Sequence, residues 1–200
     1  MTNIEFWFSI GSTYSYLALY RLSALEEQYA VRFVMKPFNI RQLMQEQSGN
    51  PFLNNEKKMS YMWRDVERRA RKYGIEAKFP VQYPIEEFVL TNQMAALAAR
   101  EGWCRDFALR VYHHWFANGV VGGSRENIER SLVDVGQDPG RVFQMAASEP
   151  IAKTLEVETD KARSLGFFGT PNFVVGSEVF WGDDRAEDAI EYAMQTGSFK

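Results

Sequence analysis

Residues 4–20 read IEFWFSIGSTYSYLALY: an apolar run ends in Gly11-Ser12-Thr13-Tyr14-Ser15 and passes directly into helical spacing. Enzymes that hold a reactive sulfur at the start of a helix often carry two cysteines, spaced C-x-x-C, at such a turn, and here that spacing holds Ser12 and Ser15. A helix N-terminus presents unpaired N–H groups and partial positive charge, which favours an anion placed there. Ser12 stands where its hydroxyl meets such an anion, although Ser12 or Thr13 serving only as the helix N-cap also fits the pattern. A serine nucleophile with a histidine base is a rival chemistry. The only histidines are His113 and His114, adjacent on an apparently core-forming helical segment, and no G-x-S-x-G elbow is present. If Ser12 is catalytic, its hydroxyl donates a hydrogen bond to a sulfur brought by another molecule.

The elements that must position this turn follow from periodicity. Residues 4–10 have strand composition, and Tyr16, Leu17, Tyr20, Leu22 and Leu25 continue at helical spacing to about residue 29. Residues 31–35 predict a second strand, stopped by Pro37, which makes a β-α-β unit. From residue 41 to 148 the signals are helical, with segments expected at 57–73, 85–100, 103–118, 124–135 and 139–147. After Pro150 the pattern predicts a helix to residue 165, short strands at 173–175 and 178–181 around Gly176-Ser177, and a closing helix from 183 to about 195. Strand character at both ends predicts one α/β sheet domain, residues 1–40 and 149–200, interrupted by an all-helical insertion at 41–148.

Composition narrows the classes. With 23 Lys and Arg against 26 Asp and Glu the net charge is −3, and the Arg-rich run at 64–71 is interleaved with Asp65 and Glu67, so it is expected to be a solvated helix face and not a nucleic-acid tract. The first ten residues lack a basic segment and cleavage pattern, and no apolar stretch approaches the roughly 20 residues that span a bilayer, so a cytoplasmic, membrane-free protein is expected. Cys104 is the only cysteine and lies on an apolar helical pattern. An internal disulfide, a cysteine metal cluster and dithiol–disulfide exchange are thereby excluded, and no metal site is expected.

Three segments together, FWFSIGSTYSYLALYRL, SGNPFLNNEKKMSYMWRDVERRARKYG and GFFGTPNFVVGSEVFWGDDRAEDAI, resemble the 2-hydroxychromene-2-carboxylate isomerases, bacterial relatives of the kappa-class glutathione transferases. The resemblance runs nearly the full length in the same order. It implies a thioredoxin-like sheet domain interrupted by a helical insertion, as in DsbA-type oxidoreductases, and a homodimer. It implies glutathione as cofactor, with Ser12 contacting its thiol as the catalytic residue. The family turn usually reads D-F-x-S-P-Y-S-Y-L, whereas this chain has Ser9 for the Asp and Thr13 for the Pro, departures expected to tune thiol acidity or substrate preference. Asn50 and Lys58 match family positions that reach glutathione, with Lys57 a rival for Lys58 and Asp65 matching a nearby acidic position. In Gly169-Thr170-Pro171 the resemblance implies a cis Pro171 facing the turn and Thr170 pairing with glutathione's backbone. At Gly182-Asp183-Asp184-Arg185 it implies that the helix start takes the γ-glutamyl carboxylate and that an Asp, Asp184 before Asp183, takes the ammonium; plain helix capping fits those residues equally.

A free thiol has a pKa of about 8.5, and each tenfold gain in acidity takes about 1.4 kcal/mol in favour of the thiolate. A helix terminus supplies roughly 0.3–1 kcal/mol and a hydrogen bond to a charged acceptor about 1.5–3, so the two together lower the pKa by roughly one to three. The hydroxyl is the decisive part. The activity implied is a glutathione-dependent isomerisation of 2-hydroxychromene-2-carboxylate, or of a related keto acid from aromatic catabolism, by reversible thiolate addition. The small aromatic carboxylate needs an apolar wall, for which Phe38, Trp63, Phe168 and Trp181 are candidates, and a cation from among Lys36, Arg41 and Arg64. A kappa-like transferase and a non-catalytic thioredoxin-like binding module are the alternatives.

Overall fold

The computed structural model describes residues 2–47, 49, 51–52 and 55–197 of the 200-residue chain. β1 (Thr2–Phe8), α1 (Thr13–Tyr29) and β2 (Val31–Pro37) form the β-α-β unit, with β1 and β2 parallel and in register from Thr2↔Val31 to Phe8↔Pro37. Between β2 and the next strand run α2 (Ile40–Gln47), α3 (Glu56–Lys72), α4 (Phe88–Glu101), α5 (Cys104–Phe116), α6 (Arg125–Asp134), α7 (Pro139–Ala146) and α8 (Glu149–Ser164). β3 (Asn172–Val175) pairs antiparallel with β1, and β4 (Glu178–Trp181) pairs antiparallel with β3. A 3-10 turn, Asp183–Arg185, leads into α9 (Ala186–Gly197). The sheet order is β2-β1-β3-β4, so strands from opposite ends of the sequence are neighbours at its centre. This is the expected α/β class, a thioredoxin-like sheet with helices inserted between its halves.

Strand alternation puts Phe6 and Phe8 on one face of β1, where their rings stack 5.3 Å apart and Phe6 meets Phe173 at the same separation. Trp7 points the other way, against Phe38 and Phe167. Burial of both faces explains why β1 reads as a continuous apolar run. Helix ends follow local chemistry: Ser124 and Asp138 cap α6 and α7 through their side-chain oxygens, and α8 carries Pro150 in its first turn, where a missing N–H costs nothing. Cys104 is buried and donates to the Ala95 carbonyl, and burial pushes its thiol pKa well up. Among the described residues no helix is long and apolar enough to cross a membrane.

β2 runs on through Pro37 instead of stopping at residue 35, α5 ends at Phe116 instead of residue 118, and the remaining differences from expectation have tertiary reasons. β1 stops at Phe8 instead of residue 10, because the Ser9 carbonyl accepts the Ser12 N–H and both backbone groups of Ile10 bond the Asn92 side chain. α2 is a separate helix that periodicity did not isolate, since it buries only Ile40 and Leu43. α4 begins three residues late, after Ile85 has been drawn into the core and Glu87 has taken a left-handed conformation. The closing helix starts as a tight turn because Asp183 is pulled toward α3. The Arg-rich run is largely a solvated face, with Arg64–Glu67 and Arg71–Glu67 pairs along the helix, but Arg69 turns inward.

Candidate active site

Ser12 occupies the N-cap of α1, in extended conformation, and its Oγ accepts the Ser15 N–H at 3.2 Å. The same Oγ lies 3.3 Å from the Thr170 carbonyl oxygen, to which it donates. Capping and ligand binding are therefore compatible: the oxygen is used by the helix, while the proton rests on a long bond that a better acceptor can take over. Ser15 differs. It is wholly buried, and its hydroxyl pairs with the Thr170 hydroxyl at 3.2 Å, whereas Ser12 is half-buried beside a cavity. Among the described residues no acceptor meets the N–H groups of Thr13 and Tyr14, so the first turn of α1 keeps two orphan donors next to the Ser12 hydroxyl.

The turn is held from several distant points. Gly11 has φ +116°, and a Cβ there would press on Phe88 and Ile85 at 3.1–3.2 Å, so both backbone freedom and space call for glycine. Asn92 on α4 accepts from the Ile10 N–H at 2.8 Å and donates to the Ile10 carbonyl at 3.0 Å, acting as a short artificial strand. Tyr112 on α5, wholly buried, donates toward the Ser12 and Ser9 carbonyls at 3.0 and 3.1 Å; burial raises its phenol pKa, which keeps the donor protonated. Neither Asn92 nor Tyr112 was singled out from the sequence, where a polar residue in a helix carries no mark of a partner 82 or 100 residues away.

The two departures from the family turn are accommodated in place. Ser9 is fully buried; its hydroxyl donates to the Phe38 carbonyl and accepts the Ile40 N–H, tying β1 to the start of α2. An ionised Asp there would set acceptor against acceptor at Phe38. Thr13 is buried at the first helical position, where proline and other residues are equally free of a required N–H bond.

Thr170–Pro171 is cis, and Thr170 forms the wall opposite Ser12. A cavity of about 330 Å³ opens between them, walled by Ile40, Met44, Phe88, Phe168 and Trp181 and carrying Arg41 and Lys58 as its cations. A second cavity, about 470 Å³, shares Tyr14, Phe52, Thr170 and Trp181 with the first and is lined beyond them by Asp65, Arg69, Asp183 and Asp184. One cleft thus has an apolar half and a charged half, with Thr170 between. Gly169 leaves room for the Trp181 indole, into which a Cβ would run. A larger recess, about 660 Å³ along the outer edge of β2, is excluded as the site because its Arg105 and Glu26 pair with each other and it lacks the Ser12 turn.

The charged half is organised by Arg69. Its guanidinium reaches Asp65 at 3.1 Å, Asp183 at 2.8 Å and Asp184 at 3.4 Å. Asp183 is 1% exposed and burial raises its carboxyl pKa, with the Arg69 charge opposing. Asp184 keeps 41% of its side chain in solvent. Both carboxylates pair with Arg69, and Asp184 with Arg185 at 3.7 Å as well, but only Asp184 is open enough to meet a ligand. Tyr14 donates to Asp65 at 3.0 Å, joining the turn to α3.

The other candidates separate cleanly. Lys58 lines the apolar cavity and Lys57 does not; Asn50 lies outside the described residues. Among the aromatic candidates, Phe168 and Trp181 line the cavity with rings 4.6 Å apart. Phe38 is wholly buried against Trp7 and Phe167 and is core, and Trp63 packs on Phe79 and Tyr83 behind the wall. Lys36 sits between Glu5 and Glu158, and Arg64 pairs with Glu67 on the surface of α3, so of the three cations only Arg41 reaches the cavity. Neither histidine lines it: His114 is bonded to Asp134 and Asn118, each at 3.0 Å.

Residues 3–195 match the DSBA-like thioredoxin domain. The chain belongs to that family. Within it, the chain is 26% identical to a 2-hydroxychromene-2-carboxylate isomerase of Sphingobium xenophagum over 96% of this chain and 97% of that protein. It is 25% identical to glutathione S-transferase kappa 1 of Caenorhabditis elegans, over 92% and 88% of the two chains. A solved 2-hydroxychromene-2-carboxylate isomerase superposes with a TM-score of 0.84 at 22% identity, covering 99% of both chains. A solved structure described as a probable DsbA oxidoreductase from Streptomyces coelicolor superposes with a TM-score of 0.80 at 16% identity, covering 100% of this chain and 92% of that one, while the C-x-x-C spacing in this chain is filled by Ser12 and Ser15.

Proposed function

We propose that this protein is a glutathione-dependent isomerase acting on 2-hydroxychromene-2-carboxylate or a related aryl keto acid, by reversible addition of a thiolate. The observation that carries the reading is the Ser12 hydroxyl, half-buried at a helix N-terminus with its proton aimed across the cleft and no cysteine beside it. The residues present fit glutathione: Asp184 in the charged half suits its ammonium, Lys58 in the other suits its glycyl carboxylate, and the Thr170 backbone before cis Pro171, common to both, suits a peptide. Bound glutathione supplies a nucleophilic sulfur that is returned at the end of each cycle. Ser12 and the free N–H groups of Thr13 and Tyr14 hold negative charge at the head of α1. Phe168 and Trp181, each more than half exposed in the free protein, offer their rings to the aryl end of the substrate. The protein works in the cytoplasm as a homodimer in this proposal.

The similarity to a kappa-class transferase supports one second reading, in which the same serine serves a conjugation. Thiol stoichiometry separates the two. Catalytic glutathione is expected to support many turnovers of a benzylidenepyruvate substrate with free thiol unchanged at the end. Thiol loss in step with product assigns the protein to conjugation instead.

Lys58→Ala and Asp184→Ala are each expected to raise the KM for glutathione several-fold while changing kcat at saturating glutathione less than twofold, because they hold the ends of the peptide and not the sulfur. Calorimetry showing unchanged glutathione affinity in both variants would remove these residues from the site.

A further inference from the structure

We infer that Arg41 is the carboxylate receptor of the cavity beside Ser12 and selects aryl-bearing anions over neutral aryl compounds. Twelve of the fifteen arginines pair with carboxylates. Of the three that have no such partner among the described residues, Arg32 and Arg100 are exposed to water and Arg41 is half-buried. Its guanidinium lies 3.9 Å over the Phe88 ring and makes one long hydrogen bond, 3.4 Å, to the Ile85 carbonyl. A guanidinium carries five N–H donors, so at least four remain for a ligand. Burial lowers the pKa of Arg41, with Tyr83 opposing, which marks a charge that has given up water without gaining a counter-ion.

Such a group is costly unless something negative completes it. The Phe88 ring lies under the guanidinium, and a planar carboxylate is the ligand whose two oxygens match its fork. The walls around the fork are Ile40, Met44, Phe168 and Trp181, so the anion must carry an apolar or aromatic body. Ile40 is buried and Met44 half-buried, which strengthens the pair on its inner side, while Phe168 and Trp181 stand more than half exposed at the open side. Lys58, the other cation of the cavity, is exposed, and its charge is screened by water. Arg41 is the second residue of α2, and the Ile40 N–H before it donates to the buried Ser9 hydroxyl, so the receptor is tied through Ser9 to the Ser12 turn.

This inference deepens the proposed function by naming the group that orients its substrate, and its test uses neither glutathione nor turnover. Cinnamate and its neutral isostere cinnamamide are titrated into the intact protein, with binding followed by calorimetry and tryptophan fluorescence. The wild type is expected to bind cinnamate at least tenfold more tightly than cinnamamide. Arg41→Gln should erase that preference with little change in Tm, Arg41→Lys should retain part of it, and Lys58→Gln should leave it in place. A preference that survives Arg41→Gln, one lost in Lys58→Gln, or no preference in the wild type overturns the assignment. An Arg41-dependent preference in a protein without isomerase activity would uphold the receptor and sink the proposed function; an active isomerase without that preference would do the reverse.

Discussion

Ser12→Ala is expected to cut isomerase turnover at saturating glutathione at least tenfold, and Ser15→Ala to change it less than twofold. The difference follows from where the two hydroxyls point. Ser12 is half-buried at the cavity and its proton rests on the Thr170 carbonyl at 3.3 Å, a bond that a thiolate displaces at little cost. Loss of a hydrogen bond to a charged acceptor forfeits about 1.5–3 kcal/mol, which is roughly tenfold to more than a hundredfold in rate. Ser15 is sealed from the cavity and its hydroxyl is matched to that of Thr170, so its removal deletes a neutral bond away from the reacting atoms. The cap complicates Ser12→Ala, because the Ser15 N–H also loses its acceptor, at about 0.5–2 kcal/mol of stability. Ser12→Gly separates the two roles: glycine is a tolerable cap, costing a few tenths of a kcal/mol, but has no hydroxyl. It should match Ser12→Ala in turnover and the wild type in Tm. Both variants should also shift the alkaline rise of the pH–rate profile upward, as the bound thiol becomes less acidic. Equal losses at Ser12 and Ser15 would place the catalytic hydroxyl elsewhere.

Arg69→Ala is expected to be the most destabilising single change in the cleft, by roughly 3 kcal/mol, or roughly 6–12 °C in Tm for a chain of this size. The reason is Asp183, whose side chain keeps only 2% exposure and has Arg69 2.8 Å away as its counter-ion. Tyr73 offers Asp183 only a 3.5 Å contact, and Arg21 bonds the Asp183 carbonyl, not its carboxylate. Removing Arg69 leaves a buried charge with only the more distant Arg21 guanidinium to offset it, and the cost is set at the low end because Arg21 remains and Arg69 itself is 27% exposed.

The pH dependence has a definite sign. Burial already raises the Asp183 carboxyl above its unfolded value in the native protein, so its contribution to stability is greatest below the unfolded pKa and falls as pH rises through the folded one. Without Arg69 the folded value rises further. The deficit of Arg69→Ala relative to wild type should therefore be largest at neutral pH and shrink as the pH is lowered and Asp183 is neutralised in both. Asp183→Asn in the Arg69→Ala background should recover most of the lost Tm at pH 7. A neutral effect of Arg69→Ala, or a double variant no better than the single, would show that Asp183 does not depend on Arg69.

Much of this protein is written locally. The apolar run of β1, the Gly11-Ser12 turn and the periodic face of α1 are contiguous, so spacing alone predicts a strand, a turn and a capped helix with hydroxyls at its head. Three short motifs, also contiguous, carry a family resemblance, and it was that resemblance, not spacing, that implied the thioredoxin-like class, the cis Pro171 and Ser12 as the residue at the cleft.

What the sequence leaves open is decided by partners far along the chain. Arg69 belongs to a run that reads as a solvated face, and only the packing of α3 and of the 3-10 turn on α1 brings it to Asp183, 114 residues away. Lys36, Arg41 and Arg64 are equal as cations in a string of letters; Glu158 claims the first and Glu67 the third, and α2 carries the second into the cavity. Phe38 and Phe168 are likewise one residue type with opposite fates, core and cavity wall. Local periodicity states which side of an element is apolar, but not which element will cover it or which charge will lie opposite. Those choices are made when the sheet closes and both halves of the chain compete for the same interior.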